Sequence, residues 1–105
     1  MKVCVYGAGA IGGYLAVELA LAGHEVCVIA RGAHLQAIRE RGLTLVSEGR
    51  ERVARLAASD DPSTFGEQDL VVCALKAQQA YEEAPRFASL LGAQTAVLRA
   101  MNGMM

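Results

Sequence analysis

Val3-Cys4-Val5-Tyr6-Gly7-Ala8-Gly9-Ala10-Ile11-Gly12-Gly13 is the stretch on which the fold of this 105-residue chain turns. Its first four residues are apolar and read as a short buried strand. They run straight into G-x-G-x-x-G. Beyond it the pattern becomes helical: Ile11, Leu15 and Leu19 recur at i, i+4 and i+8, with Ala16 and Ala20 beside them. A strand, a glycine turn and a helix in that order build a pocket for a diphosphate. Gly7 permits the tight turn, Gly9 lets a pyrophosphate approach the main chain, and Gly12 lets the helix pack closely on the strand. A helix opening near Ala10 turns unpaired N–H groups and its positive dipole end toward phosphates. The spacing alone is a weak pattern, equally available to a glycine turn that binds nothing. Its place between a β-branched strand and an amphipathic helix favours a dinucleotide.

The bulk composition fits one small α/β domain. Apolar residues make up 53% and charged residues 20%, which suits a sheet buried on both faces. The net charge of −1, without a basic stripe, favours neither nucleic acid nor an acidic membrane surface. Lys2, the apolar run and Ala20-Leu21-Ala22 imitate a secretory signal, but the glycines and Glu18 interrupt the would-be apolar segment. No uncharged run reaches membrane-spanning length, so the expected compartment is the cytoplasm. Cys4, Cys27 and Cys73 match no zinc spacing and form no C-x-x-C; they read as reduced core thiols, and no metal is expected.

Further along, strands are expected at 2–6, 25–29, 69–75 and 95–99, and helices at 10–22 and 33–41. Gly23 and Gly42 stand where helices stop, with His24 as a surface or capping residue. Segments 43–46 and 52–57 flank Ser47-Glu48-Gly49-Arg50 as a hairpin with a longer loop. Asp61-Pro62 marks a turn or short helix start within a polar stretch. Residues 77–91 read as helical, broken near Pro85 and ended by Gly92. Alternating strands and helices with right-handed crossovers give a Rossmann-like, doubly wound, mostly parallel sheet in a three-layer α/β/α arrangement. In such sheets ligands lie beyond the carboxyl ends of the strands.

Those ends carry informative residues. After the second strand comes Ala30-Arg31-Gly32, with no acid to accept the adenosine ribose hydroxyls. A guanidinium there can pair bidentately with a 2′-phosphate, which argues for NADP over NAD; the competing reading is a solvated turn arginine. His34 could join the same pocket or simply face solvent. Lys76 follows the most apolar strand and could hold an anionic substrate or a ribose hydroxyl, or face water. Asn102-Gly103 follows the last strand, where Asn102 could bond a nicotinamide ribose or serve plain turn chemistry.

Taken in order, Gly7-Ala8-Gly9-Ala10-Ile11-Gly12-Gly13, Ala30-Arg31-Gly32-Ala33-His34, Leu75-Lys76-Ala77-Gln78-Gln79 and Asn102-Gly103 resemble the ketopantoate reductase (2-dehydropantoate 2-reductase) family. The resemblance covers the whole chain and the N-terminal, NADP-binding domain of that family. It implies NADPH-dependent reduction of 2-dehydropantoate to pantoate, toward pantothenate and coenzyme A. It assigns Gly7, Ala8, Gly9, Ala10, Ile11 and Gly12 to the diphosphate loop, Arg31 to the 2′-phosphate, and Lys76 and Asn102 to the nicotinamide and substrate end. The family's catalytic lysine belongs to a second, helical domain, so no catalytic residue is assigned in residues 1–105 and the isolated chain is expected to be inactive.

Two other readings stand beside it. One is an NADP-dependent dehydrogenase of another 2-keto or 3-hydroxy acid. The other is a stand-alone nucleotide-binding or redox-sensing module. The partner expected is a small 2-keto acid, with neither nucleic acid nor membrane, and a homodimer could form through exposed apolar surface.

Overall fold

The computed structural model describes residues 1–7 and 9–99. In chain order its elements are β1 (Lys2–Tyr6), α1 (Ala10–Leu21), β2 (Glu25–Ile29), α2 (Gly32–Arg41), β3 (Leu43–Ser47), β4 (Arg50–Ala54), β5 (Ala57–Ser59), β6 (Gln68–Cys73), α3 (Ala77–Glu83) and β7 (Leu91–Arg99). Two 3₁₀ segments, Pro62–Thr64 and Ala84–Leu90, precede β6 and β7 respectively. Five strands form one parallel sheet in the order β5-β2-β1-β6-β7, while β3 and β4 pair antiparallel as a separate ribbon. The chain works outward from β1 through β2 to β5. It then returns to lay β6 against the other side of β1. The direction of winding therefore reverses at the β1–β6 boundary, the place where doubly wound sheets open a crevice at their carboxyl edge.

The period of two along each strand divides the core. Val3, Val5, Val26, Val28 and Val72 face one side, where they pack with Ala16 and Val17 of α1, Leu35 and Ile38 of α2, and Leu43 and Ala54 of the ribbon. Cys4, Tyr6, Cys27, Ile29 and Val71 face the other, against Leu90, Phe65 and Phe87. Both faces of the central strands are thus apolar, as buried parallel strands require. Arg52 of β4 reaches Glu18 of α1 at 2.7 Å and ties the ribbon to the helix layer. The first helix ends as its glycine suggests: the Gly23 and His24 amides donate to the Ala20 and Leu19 carbonyls in a Schellman arrangement.

Several local expectations are corrected. The ribbon turns through two residues only, because Ser47 pairs with Arg50; Glu48 and Gly49 both take positive φ, 53° and 74°, as a type I′ turn demands. The strand expected over 52–57 is two strands: β4 ends at Ala54, and the chain leaves the ribbon to join β2 as β5. The strand expected over 69–75 starts and stops earlier, at Gln68 and Cys73. The helix expected over 77–91 is α-helical only to Glu83. Pro85 cannot donate to the preceding turn, and the chain continues as 3₁₀ to Leu90. These 3₁₀ segments, rather than a long helix, supply the apolar side chains of the second face, and α3 itself buries none. Gly92 lies inside β7, which begins four residues earlier than expected.

Candidate functional site

The residues that end β1, β2 and β6 come together at the carboxyl edge. The Gly7 amide donates to the Ile29 carbonyl at 3.0 Å, and Ala74 donates to Tyr6 at 2.9 Å, so the three strand ends are laced together where the chain turns. Gly7 has φ +99°, a left-handed conformation that glycine takes without strain, and a Cβ there would also stand 2.8 Å from Leu75 Cδ2. A Cβ on Gly12 would collide with the Gly7 carbonyl oxygen and approach the Ala74 Cβ to 3.0 Å. The first turn of α1 therefore rests directly on the β1 turn.

Gly9 differs from both. It caps α1 in an extended conformation at φ −73°, and a Cβ there would meet nothing within 4 Å. Among the described residues, none fills the space beside Gly9. Among the described residues no side chain caps α1, and no acidic residue lies in its first turn. The first amides of the helix keep their positive end without a counter-charge, which is the setting an anion takes. These features fit a diphosphate: close main-chain approach at Gly9, amides aimed outward, and no competing carboxylate.

Next to this turn a cleft of about 250 Å³ runs between the end of β2 and α3. Gly7, Ala30, Arg31, His34, Leu75 and Glu83 are among its walls. Arg31 caps α2 in an extended conformation and is 65% exposed at its side chain. It crosses the cleft to Glu83, with Nη2 2.5 Å from Oε2. The other carboxylate oxygen, Oε1, accepts from the Tyr6 hydroxyl at 2.6 Å and from Arg86 Nη1 at 3.0 Å. Arg86 is held in turn by the Asp60 carbonyl at 2.7 Å. The Tyr6 hydrogen bond, followed by Arg31, holds the Glu83 carboxyl below the usual carboxylate range; burial and the same bond push the Tyr6 phenol up. Glu83 is consequently ionised near neutrality and Tyr6 is its donor.

Of the residues singled out in the sequence, Gly7, Gly9, Gly12 and Arg31 gather at this edge, and Ile11 lies half-buried in the first turn of α1. Ala10 opens α1. His34 lines the cleft near Arg31. Lys76 caps α3, is exposed, and donates its backbone N–H to the Gln79 side chain at 3.4 Å. Ala8 and Asn102 lie outside the described residues. The sequence reading missed Glu83, Tyr6 and Arg86. Glu83 lies within the segment expected to be helical, and nothing in its spacing ties it to a residue 52 positions earlier.

The cysteines take no part in the site. All three are buried and free, and Cys4 and Cys27 are register partners on adjacent strands. The contact between them, with burial, pushes the Cys4 thiol up and keeps it protonated. Among the described residues no His, Cys, Asp or Glu cluster is placed to hold a metal ion, and no helix is long and apolar enough to cross a membrane.

A parallel sheet with its winding reversed beside β1, a glycine turn seated under a helix and a cleft at the strand ends define a Rossmann-like, doubly wound α/β unit. The family model for ketopantoate reductase PanE/ApbA matches residues 3–105, and the chain belongs to that family. It is 46% identical over 104 residues to a 2-dehydropantoate 2-reductase of Mesorhizobium japonicum, covering 98% of this chain and 32% of that protein. It resembles the crystal structure of a PanE/ApbA family ketopantoate reductase from Ralstonia eutropha JMP134, with a TM-score of 0.89 and 40% identity, over 98% of this chain and 35% of the other. It also resembles D-mandelate dehydrogenase in a ternary structure with NADH and anilino(oxo)acetate, with a TM-score of 0.88 and 32% identity, over 100% and 35% of the two chains. The chain spans about a third of the length of the curated relatives it matches, and corresponds to their N-terminal part.

Proposed function

We propose that this chain is the NADPH-binding part of a 2-dehydropantoate 2-reductase, an enzyme that reduces a small 2-keto acid on the path to pantothenate. The observation that carries the reading is the open main-chain cradle at Gly9, set beside Arg31 within a family match that runs to residue 105. In this reading Gly7, Ala8, Gly9, Ala10, Ile11 and Gly12 hold the diphosphate, and Arg31 takes the 2′-phosphate. Lys76 and Asn102 line the nicotinamide and substrate end. The nicotinamide, when bound, supplies the hydride. The backbone amides of this chain orient the diphosphate, and the catalytic lysine comes from a second, helical domain outside residues 1–105. A cytoplasmic location belongs to the same reading and is supported by the three free, buried thiols. Association into a homodimer is supported by exposed apolar residues on β7.

Titration of NADPH and NADH against the unmodified protein and Arg31→Ala tests the cofactor assignment. Loss of a charge-assisted phosphate pair weakens NADPH by about 1.5–3 kcal/mol and leaves NADH nearly unchanged. Equal weakening of both cofactors would count against the assignment. The likeness to D-mandelate dehydrogenase favours a second reading, reduction of a different 2-keto acid. Steady-state rates of the protein with 2-dehydropantoate against a panel of 2-keto acids separate the two.

A further inference from the structure

We infer that Glu83 sets the cofactor preference of this site, as the fixed counter-ion from which a 2′-phosphate must take Arg31. The inference rests on the reading of Arg31 as the 2′-phosphate group and adds an opposing residue to it.

The division of labour between the two carboxylate oxygens carries the argument. Among the described residues Oε2 accepts from Arg31 alone, while Oε1 is held by Tyr6 and Arg86. Tyr6 is buried at 2% exposure, with its ring edge-on to Phe87 at 4.6 Å, so its hydroxyl is a fixed donor. Arg86 is fixed from behind by the Asp60 carbonyl. Glu83 is therefore anchored whether or not Arg31 is present. Its side chain is 16% exposed against 65% for Arg31, so the guanidinium is the partner that can swing.

A cofactor carrying a 2′-phosphate meets this arrangement twice over. It must draw the guanidinium off Oε2, and it brings negative charge into a cleft whose wall already holds the Glu83 carboxylate, with Glu82 beside it. A 2′-hydroxyl does neither: Arg31 stays on Oε2, and no further charge enters the cleft. Glu83 thus selects against the phosphorylated nucleotide while Arg31 selects for it, and the preference of the site is their difference.

The adenosine end can be tested apart from the rest of the cofactor with 2′,5′-ADP and 5′-AMP, measured by calorimetry at low salt on the unmodified protein, Glu83→Gln and Arg31→Ala. Glutamine keeps an acceptor for Tyr6 and Arg86 and removes the charge. We expect Glu83→Gln to raise the preference for 2′,5′-ADP over 5′-AMP by about twofold or more, the scale of a partly exposed ion pair. A smaller rise, or a fall, overturns the inference. Arg31→Ala should lower the same preference. If it does not, the 2′-phosphate reading itself fails; if it does while Glu83→Gln leaves the preference unmoved, only the role of Glu83 fails. Glu83→Asp, which withdraws the carboxylate by one methylene, must shift the preference in the same direction and serves as the deciding variant if the glutamine form does not hold its fold by circular dichroism.

Discussion

Glycines 9 and 12 stand three residues apart in one loop yet answer to different demands. At Gly12 a methyl group would strike the Gly7 carbonyl, so the main chain itself must move. Gly12→Ala should therefore cost about 1–3 kcal/mol in urea denaturation, the range of an overpacked core site. At Gly9 a methyl group meets open space and the backbone is in a conformation any residue adopts. Gly9→Ala should leave stability within about 0.5 kcal/mol, as at a surface position, while the proposed role of this loop requires NADPH binding to fall sharply, the methyl standing where the diphosphate would lie. Normal cofactor affinity in a well-folded Gly9→Ala protein would remove the diphosphate from this loop. Sequence spacing pointed to both glycines. It could not say that Glu83 lies across the cleft from Arg31, because the two are separated by 52 residues and no local pattern relates them.

Among the elements, the ones read best are those whose signals are local. β1, β2, α1 and α2 lie within a residue or so of the expected bounds, since alternation, helical period and a stopping glycine all act over one or two turns. The ribbon and the segment after α3 were read less well. Expecting a longer loop overlooked that Glu48-Gly49 alone can close a tight turn once both residues adopt positive φ. Glutamate is a poor occupant of that conformation and asparagine a good one. Glu48→Asn is accordingly expected to stabilise the protein by a few tenths of a kcal/mol, roughly the scale of a relieved left-handed residue, visible as a higher urea midpoint at an unchanged slope. No change in midpoint would indicate that the ribbon forms without help from its turn. β5 is a purely tertiary strand. Its three residues, Ala57–Ser59, have no strand signal of their own, and they extend because β2 offers an unpaired edge.

For the whole molecule, the most consequential feature is β7. It is one of the two edge strands of the described sheet and, at nine residues, much the longer. Val97 and Leu98, adjacent in sequence and so on opposite faces, are 52% and 51% exposed. Among the described residues nothing covers Val97 or Leu98 on either face, and Tyr81 and Leu91 add to the apolar surface nearby. Edges of that kind pair or pack with other chains. This 105-residue chain is expected to elute above monomer size in size-exclusion chromatography, and a charge placed at Leu98, as in Leu98→Lys, should shift it toward monomer; a monomeric unmodified chain at high concentration would contradict the exposure argument. From residues alone came the identity of the central strands, the glycine turn, the doubly wound class and the family, because each is written in neighbours a few positions apart and needs only main-chain sterics and hydrophobic period to be read. The particular strand order, the joining of β5 to β2, the exposure of Val97 and Leu98 on β7 and the meeting of Arg31, Glu83 and Tyr6 were decided only by the folded chain. They depend on contacts between distant segments, whose formation is governed by the packing of the whole core and by the charges that packing leaves side by side.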